Sequence, residues 1–234
     1  DLGAGDSHEA LIDWGDGTTT VASISDTVDG EGSFFGRHRY ASAGVYEVTV
    51  TLADFDGGAD TLETVAFVTG AAIHDGVLHI VGTEGVDTIN VANDPSTGQL
   101  EVAASFLPAV RSFDTTGLTS ALIYAGDGDD SVNVAADVTL PIIVLGGVGA
   151  DSLSGGGGDD VIIGGPGDDT LNGRAGVDLL FGASGNDLQN GGDGDGDVAV
   201  FGLASTEYDP ATTSEVSSLD PEVTGTDSLV GIEH

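Results

Sequence analysis

Residues 146–190 read GGVGADSLS, GGGGDDVII, GGPGDDTLN, GRAGVDLLF and GASGNDLQN, five nine-residue units with no gap between them. Position six is Asp every time: Asp151, Asp160, Asp169, Asp178 and Asp187. Position eight is apolar in four of the five, as Leu153, Ile162, Leu171 and Leu180, and Gln189 departs from it. A sixth unit, GGDGDGDVA, begins at Gly191 and has slipped by one residue, so that position six is Gly196 and Asp197 comes one step late. Isolated copies stand earlier, AGDGDDSVN at 125–133 and GTEGVDTIN at 82–90. A fixed period of this kind marks a stacked repeat architecture.

The physics of one unit points to a hard cation. Gly at positions one, two and four lets the chain bend sharply, because Gly reaches positive φ cheaply. A bent loop turns several carbonyl oxygens to one side, and the Asp adds a carboxylate at its end. Three residues of short strand follow, with the middle one inward. Two units make one turn of a two-sided coil, so loops eighteen residues apart stack face to face. Carbonyls and paired carboxylates at that distance suit calcium, which takes six to eight oxygen ligands, better than magnesium, which demands stricter geometry. Stacked carboxylates repel one another without a cation, so folding is expected to be coupled to metal binding.

The pattern G-G-x-G-x-D-x-U-x resembles the RTX (hemolysin-type) calcium-binding β-roll. The resemblance implies that each ion is held by two loops eighteen residues apart. The first loop gives the carbonyls of positions two and four, the second those of positions one and three, and each gives its position-six carboxylate. One ion is then expected between Gly147, Gly149, Asp151 and Gly164, Pro166, Asp169. A second would use Gly156, Gly158, Asp160 with Gly173, Ala175, Asp178. A third would use Gly165, Gly167, Asp169 with Gly182, Ser184, Asp187. A fourth would need Arg174, Gly176, Asp178 with Gly191 and Asp193 of the slipped loop. A fifth would pair Gly126, Gly128, Asp130 with Gly146, Val148, Asp151 across a longer half-turn. The expected total is three to five calcium ions, and Gln189 suggests that the roll ends near it.

Around the repeat, composition excludes several functions. The chain has 234 residues, 40 acidic against 4 basic, and a net charge of -36. Asp outnumbers Glu 30 to 10, and the basic residues are Arg37, Arg39, Arg111 and Arg174, with no lysine. Such a chain repels nucleic acid and anionic membranes. It has no lysine for a P-loop or Schiff base, and no cysteine for a thiol nucleophile, thiolate metal site or disulfide. No apolar run approaches the roughly 18 residues of a membrane span, so no membrane insertion is expected. Flexible acidic linkers share the Gly/Asp bias, but not strict nine-residue spacing with an apolar position eight. A halophile's surface would explain the missing lysine, but not Asp locked to position six. G-x-G-x-x-G matches are inevitable here, and no helix or basic group accompanies them.

Residues 1–70 differ. Glycine thins out, and TTTVASIS, VYEVTVTL and TLETVAFV alternate apolar with polar, as strands with one wet face do. IDWGDGT at 12–18, HRY at 38–40, AGVYEVTVTL at 43–52 and DFDGG at 54–58 resemble a PKD (polycystic-kidney-disease-type) domain, an Ig-like β-sandwich. That resemblance implies a buried Trp14, with Tyr40, Tyr46, Val48 and Val50 facing the core. His38 is expected to be a structural hydrogen-bonding residue. Asp13, Asp16, Asp54 and Asp56 are open to either calcium or turn chemistry. Strands normally preceding this region are missing, so the chain reads as a window of a longer polypeptide.

The histidines His8, His38, His74, His79 and His234 fall in no H-E-x-x-H, and no G-x-S-x-G occurs. Asp159-Asp160 and Asp168-Asp169 could be imagined as glycosidase carboxylates, but they are spread along a stack, and no enzyme is expected. The expected organisation is all-β: a truncated Ig-like (PKD) β-sandwich over 1–70, degenerate β-solenoid turns over 71–145, the calcium β-roll over 146–200, and a cap or tail over 201–234, with the solenoid right-handed and parallel. The expected function is a calcium-dependent, stalk-like module of a secreted or cell-surface bacterial protein such as an adhesin, which the RTX resemblance links to type I secretion. Two alternatives stand beside it: the non-catalytic C-terminal part of an exported protease or lipase, and a module whose PKD-like face binds an extracellular protein or glycan.

Overall fold

A computed structural model describes residues 8–26, 32–54, 58–194, 196–201, 217–218 and 228–230. The chain divides into two compact units, 1–68 and 69–234. Asp56 and most of the 201–234 tail lie outside the described residues.

Unit 1 contains β1 (His8–Asp13), β2 (Thr19–Asp26), β3 (Gly32–Phe35), β4 (Gly44–Asp54) and β5 (Ala59–Val68). They form an antiparallel sheet in the order β3-β2-β1-β4-β5. A two-sheet sandwich was the expectation; among the described residues this single sheet stands, with the 36–43 segment bringing His38 and Tyr40 to Trp14. Ala10, Ile12, Ala22, Val48 and Val50 make its core, and Trp14 packs against them half-buried, not fully enclosed. The β1–β2 turn needs glycine at Gly15, whose φ is +75 and where a Cβ would come within 2.3 Å of the Glu47 carbonyl oxygen.

Unit 2 begins with β6 (Gly70–His74), β7 (Val77–Thr83), β8 (Thr88–Asn93), β9 (Leu100–Ala104) and β10 (Arg111–Phe113). It continues through β11 (Ser120–Asp127), β12 (Ser131–Val134), β13 (Ile142–Val148), β14 (Ser152–Ser154), β15 (Val161–Pro166) and β16 (Thr170–Ala175). The last strands are β17 (Leu179–Ser184), β18 (Leu188–Asp193), β19 (Val198–Phe201), β20 (Ser217–Ser218) and β21 (Ser228–Val230). Two eight-stranded sheets result, ordered β10-β9-β8-β12-β14-β16-β18-β21 and β20-β19-β17-β15-β13-β11-β7-β6. Successive strands along the chain alternate between the sheets from β11 to β19, and their pairings are parallel.

Register shows how the turn shortens. Ile80 pairs with Ile123, Ile123 with Val144, Val144 with Ile162 and Ile162 with Leu180, so the step falls from 43 to 21 and then to 18. The opposite sheet keeps the same steps, Ile89 to Val132 to Leu153 to Leu171 to Gln189. These aligned residues point inward and are at most 1% exposed. The first turn is long because it holds the antiparallel β9 and β10, and β6 likewise runs antiparallel to β7. Antiparallel strands thus close the stack's first layer on both sheets, which blunts its open edges. The Asp75-Gly76 turn joining β6 to β7 has φ of +50 and +81, as a two-residue hairpin turn requires. The Arg111 guanidinium donates to the Ala71 carbonyl, tying β10 on one sheet to β6 on the other.

The roll does not end near Gln189. That residue is fully buried in the row of position-eight leucines, its amide donating to the Val200 carbonyl at 3.2 Å. Beyond it, β19 pairs with β17 and β21 with β18. Hydrogen bonding along the stack is indifferent to side-chain polarity, so one polar inward residue does not stop it.

The outer faces of the two sheets differ. Ser152, Ser154, Thr170 and Asn172 point outward from β14 and β16, while Ile143, Leu145, Val161 and Ile163 do so from β13 and β15.

Candidate metal centre

Each nine-residue unit places its loop at an edge between the two sheets. Position two has positive φ at Gly126, Gly147, Gly165, Arg174, Ala183 and Gly192, and position four at Gly128, Gly149, Gly167, Gly176 and Gly185. At Gly165 the backbone reaches φ +120, and a Cβ would fall 2.1 Å from the Gly147 carbonyl oxygen. Arg174 and Ala183 hold the equivalent place at φ near the left-handed helical value, +78 and +76. The loops are stitched together by position-four amides: Gly128 donates to Val148 O, Gly149 to Pro166 O and Gly167 to Ser184 O, at 2.7–2.9 Å.

The position-six carboxylates form two ladders. On one edge the amide of Asp87 donates to Oδ1 of Asp130, Asp130 to Asp151, Asp151 to Asp169, and Asp169 to Asp187, all at 2.7–2.9 Å. On the other, Ile142 donates to Asp160, Asp160 to Asp178, and Asp178 to Asp197, at 2.8–2.9 Å. Every one of these aspartates is 4% exposed or less. Oδ1 is therefore used by the protein, and Oδ2 is what remains.

At Asp130, Asp151, Asp169, Asp178 and Asp197, Oδ2 is buried and accepts no hydrogen bond. An unpaired buried polar atom costs about 1–3 kcal/mol, and more when it is charged. Main-chain oxygens converge on the same places. A Cβ on Gly146 would lie 2.4 Å from Asp151 Oδ2 and 2.6 Å from the Gly164 carbonyl oxygen. One on Gly173 would lie 2.2 Å from Asp178 Oδ2 and 2.5 Å from the Gly191 carbonyl oxygen. Each such pocket is a cradle of oxygens with no donor aimed into it. The donor set fits calcium: oxygens alone, mostly carbonyl, with carboxylates from stacked loops. Carbonyl-rich coordination also explains why, among the described residues, no group of three or more His, Asp or Glu side chains forms a metal cluster.

Electrostatics point the same way. Burial pushes Asp130, Asp160 and Asp178 up to about 6 and Asp169 to about 7, and it raises Asp151 as well. Neighbouring aspartates add to the shift at Asp169, where Asp151 and Asp187 both oppose ionisation. Each buried carboxylate is short of positive charge.

The expected residues are not all alike. Gly147, Gly149, Asp151, Gly164, Pro166 and Asp169 come together, as do Gly165, Gly167, Gly182, Ser184 and Asp187 around Asp169. Gly126, Gly128, Asp130, Gly146, Val148 and Asp151 repeat this arrangement despite the 21-residue step. The loop at Gly156 and Gly158 differs. It lacks the positive φ of the other loops, and the Gly157 amide bonds to the Val138 carbonyl. The Gly156 amide donates to Asp160 Oδ2 at 2.7 Å, so that oxygen is already satisfied. The cause lies one layer below, where the 135–141 turn has no Gly/Asp loop to stack on. At the slipped loop, Asp193 is exposed, and its carbonyl accepts from the Gly176 amide at 3.3 Å. Asp197 takes the position-six place there, with Gly196 at φ +114 absorbing the extra residue.

Three roles escape a reading of the repeat. Asp197 is one. Asp87 is another, because Thr83 caps its Oδ2 at 2.8 Å and the Ser105 hydroxyl its Oδ1 at 2.5 Å, ending the ladder with protein donors. The third is position five: Asp129, Asp159 and Asp168 accept from the amides of Ala150, Val177 and Asn186 in the next loop, at 2.8–2.9 Å. The Asp-Asp pairs thus divide their work, one carboxylate clamping the loop and the other facing the cradle.

Elsewhere, His38 accepts its structural part. Its Nε2 lies 2.6 Å from Asp16 Oδ2, and its ring stacks on Trp14 at 5.1 Å and meets Tyr40 edge to face. Thr18 hydrogen-bonds Asp16 and, with His38, holds its carboxyl below the usual range. Asp13 accepts from the Gly15 amide at 3.0 Å, a turn contact. His74 and His79 meet edge to face at 5.3 Å, and burial, then His74, lowers His79. No helix among the described residues is long and apolar enough to cross a membrane.

The family model of the RTX calcium-binding nonapeptide repeat (4 copies) matches residues 143–171, 154–189 and 163–198, about a quarter of the chain. No curated protein and no solved structure matches the chain. Repeats of this family are structural and not catalytic. With the oxygen cradles on the same loops, residues 143–198 are an RTX-type calcium-binding β-roll repeat region.

Proposed function

We propose that the chain is a calcium-folded structural module of a secreted or cell-surface protein, stalk-like, serving to space or present a part located elsewhere. The observation that carries this reading is the row of buried Oδ2 atoms at Asp130, Asp151, Asp169, Asp178 and Asp197 that accept no hydrogen bond. Calcium at these points supplies the missing charge and couples binding to folding, since the cradles exist only when successive loops along one edge are stacked. In low calcium the chain stays open; in millimolar calcium outside the cell it closes, which suits passage through a type I exporter.

The sites of this reading are the stacked loops at 126–130 with 146–151, 146–151 with 164–169, 164–169 with 182–187, and 173–178 with 191–197. The pairing of 155–160 with 173–178 is weaker, because Gly156 already caps Asp160. Unit 1 is read as PKD-like on its Trp14–Thr18 turn, with Tyr40 donating to the Trp14 carbonyl at 3.1 Å and stacking on Tyr46.

The test is a calcium titration followed by circular dichroism and calorimetry, with magnesium and sodium chloride as controls. Cooperative appearance of β-structure with several calcium ions, and not with magnesium or salt, supports the reading. A unit 2 fully folded in chelator, or folded by molar salt alone, rejects it.

A further inference from the structure

Asparagine is followed by glycine at two places in the chain, Asn172-Gly173 and Asn190-Gly191, and both fall on the same structural junction. Each pair joins position nine of one repeat unit to position one of the next, where the strand leads into a cradle loop. Asn172 and Asn190 are register partners on β16 and β18, one turn of the coil apart. The other four asparagines, Asn90, Asn93, Asn133 and Asn186, precede Val, Asp, Val and Asp.

Asparagine before glycine carries its own chemistry. With no side chain on the next residue to obstruct it, the Gly amide nitrogen can attack the Asn Cγ. The N–Cγ bond forms, the Cγ–Nδ2 bond breaks, and the amide proton leaves with the side-chain nitrogen as ammonia. Water then opens the five-membered succinimide at either carbonyl. Opening at Cγ gives aspartate. Opening at the main-chain carbonyl gives isoaspartate, whose backbone runs through Cβ and Cγ and is one methylene longer. Water is the sole co-reactant, and nothing is oxidised or reduced. Asparagine counts among the thermolabile residues.

The fold opposes the first step. Ring closure requires rotation about the Asn Cα–C bond, away from extended geometry, until the nitrogen meets Cγ. Asn172 is pinned against that rotation. It pairs with Ser154 on one side and Asn190 on the other, and its carbonyl accepts from the Gly155 amide at 2.9 Å. Asn190 is held between Asn172 and Val230. Reaction therefore needs the ladder to open, and its rate follows the population of the open chain.

The longer product does not fit the closed roll. Gly173 and Gly191 lie close against the cradle oxygens: a Cβ on Gly173 would lie 2.2 Å from Asp178 Oδ2, and one on Gly191 2.5 Å from Asp197 Oδ2. An added methylene just upstream of either glycine throws the Asn172–Asn190 and Arg174–Gly192 pairs out of register. It also sets a further carboxylate beside carboxylates already short of positive charge.

We propose that Asn172-Gly173 and Asn190-Gly191 are a paired self-modification site gated by folding. The stacked roll keeps both asparagines intact; the open chain converts them to isoaspartate and loses the ability to close the cradle between 173–178 and 191–197. Calcium is the gate through the metal-coupled folding proposed above, on which the gating rests. A chain left open too long without the metal is thereby barred from the native roll.

The experiment ages the full chain at 37 °C and pH 7.5 in chelator and, separately, in millimolar calcium. Peptide mapping by mass spectrometry follows each asparagine, and enzymatic methylation of isoaspartyl groups counts the longer product. Circular dichroism of the fresh chain records whether chelator opens it. Conversion at Asn172 and Asn190 is expected to be about tenfold faster or more in chelator than in calcium, with the other four asparagines unchanged over the same period. Returned to calcium, the aged chain should recover less β-structure in proportion to its isoaspartate. Asn172→Ser combined with Asn190→Ser, copying Ser154, should age without that loss. If the double variant does not fold, mapping and refolding of the parent decide the matter. A chain open in chelator whose Asn172 and Asn190 react no faster than in calcium, or no faster than the other four, overturns the proposal and leaves calcium-coupled folding standing. So does full refolding of a chain converted at both sites. A fresh chain already folded in chelator overturns calcium-coupled folding itself, and calcium gating with it.

Discussion

The amide of Asp151 donates to Oδ1 of Asp169, 2.8 Å away and eighteen residues further along the chain. At Asp130, Asp151, Asp169, Asp178 and Asp197, Oδ1 is thereby committed to holding the preceding loop in register, while Oδ2 is buried and accepts no hydrogen bond. Structural and metal-binding roles are divided between two atoms of the same side chain, so they can be separated by substitution.

Asp169→Asn keeps an acceptor for the Asp151 amide and removes the charge at Oδ2. Asp169 borders two of the proposed cradles, so we expect calorimetry to count at least one bound ion fewer. The calcium midpoint for folding should rise about threefold to tenfold, on the order of 1 kcal/mol. An unchanged stoichiometry would remove Asp169 from the ligand set.

Gly146→Ala tests the cradle sterically. Gly146 does not have positive φ, so alanine does not strain its torsions, although its Cβ would also lie 2.6 Å from the Gly164 carbonyl oxygen. Its Cβ would lie 2.4 Å from Asp151 Oδ2, in the space assigned to the cation. We expect weaker calcium binding and a lower melting temperature in calcium, measured by scanning calorimetry. An alanine with parent-like affinity would place the ion elsewhere.

The metal-free protein should depend on pH in an unusual sense. Asp130, Asp160 and Asp178 at about 6 and Asp169 at about 7 are raised by burial above the ordinary 3.8. The folded form then binds more protons than the unfolded form between pH 4 and 7, so its stability falls as pH rises. In chelator, unit 2 should gain β-structure near pH 4 and lose it by pH 7.5, with protons standing in for calcium. Circular dichroism across that range checks it; a chelated protein more folded at pH 7.5 than at pH 4 contradicts the assignment.

Gln189→Leu should stabilise. Gln189 is fully buried among leucines and its Oε1 accepts no hydrogen bond. Replacing it with an apolar side chain removes a penalty of about 1–3 kcal/mol, which outweighs the long 3.2 Å bond to the Val200 carbonyl that is lost with it. A gain of a few degrees in melting temperature is expected for a unit of this size, at unchanged calcium stoichiometry.

The repeat made the stacked strands, the eighteen-residue step and the ladder of position-six aspartates readable from residues alone. Glycine and aspartate at fixed places dictate local geometry, and local geometry is what sequence carries best. Asp197 was obscured because a single extra residue, absorbed at Gly196, breaks the spacing while the carboxylate still reaches the Asp178 amide. The capping of Asp87 depends on Ser105, 18 residues away and outside the period, and that of Asp160 on Gly156 of its own loop, whose conformation follows the 135–141 turn beneath it. Continuation past Gln189 was likewise hidden, because pairing to β19 and β21 is decided by backbone hydrogen bonds and not by that side chain. In unit 1 the strands were legible from alternation, but how they assemble was not, since alternation gives each strand two faces and says nothing of what covers them.

The unequal outer faces also set the grammar by which such a chain can change length. Units ending SLS, TLN and LQN lie on the sheet whose exterior is hydroxyl and amide apart from Leu188, and units ending VII and LLF on the other. Although the written motif has nine residues, the heritable module has eighteen. Duplicating or deleting a pair slides one whole storey in or out and leaves both walls as they were. Losing a single unit would exchange the walls for everything downstream, laying aliphatic side chains into a polar row and moving each later cradle to the opposite edge. Lineages of this protein should therefore differ in height by whole storeys, and half-storey variants should be absent.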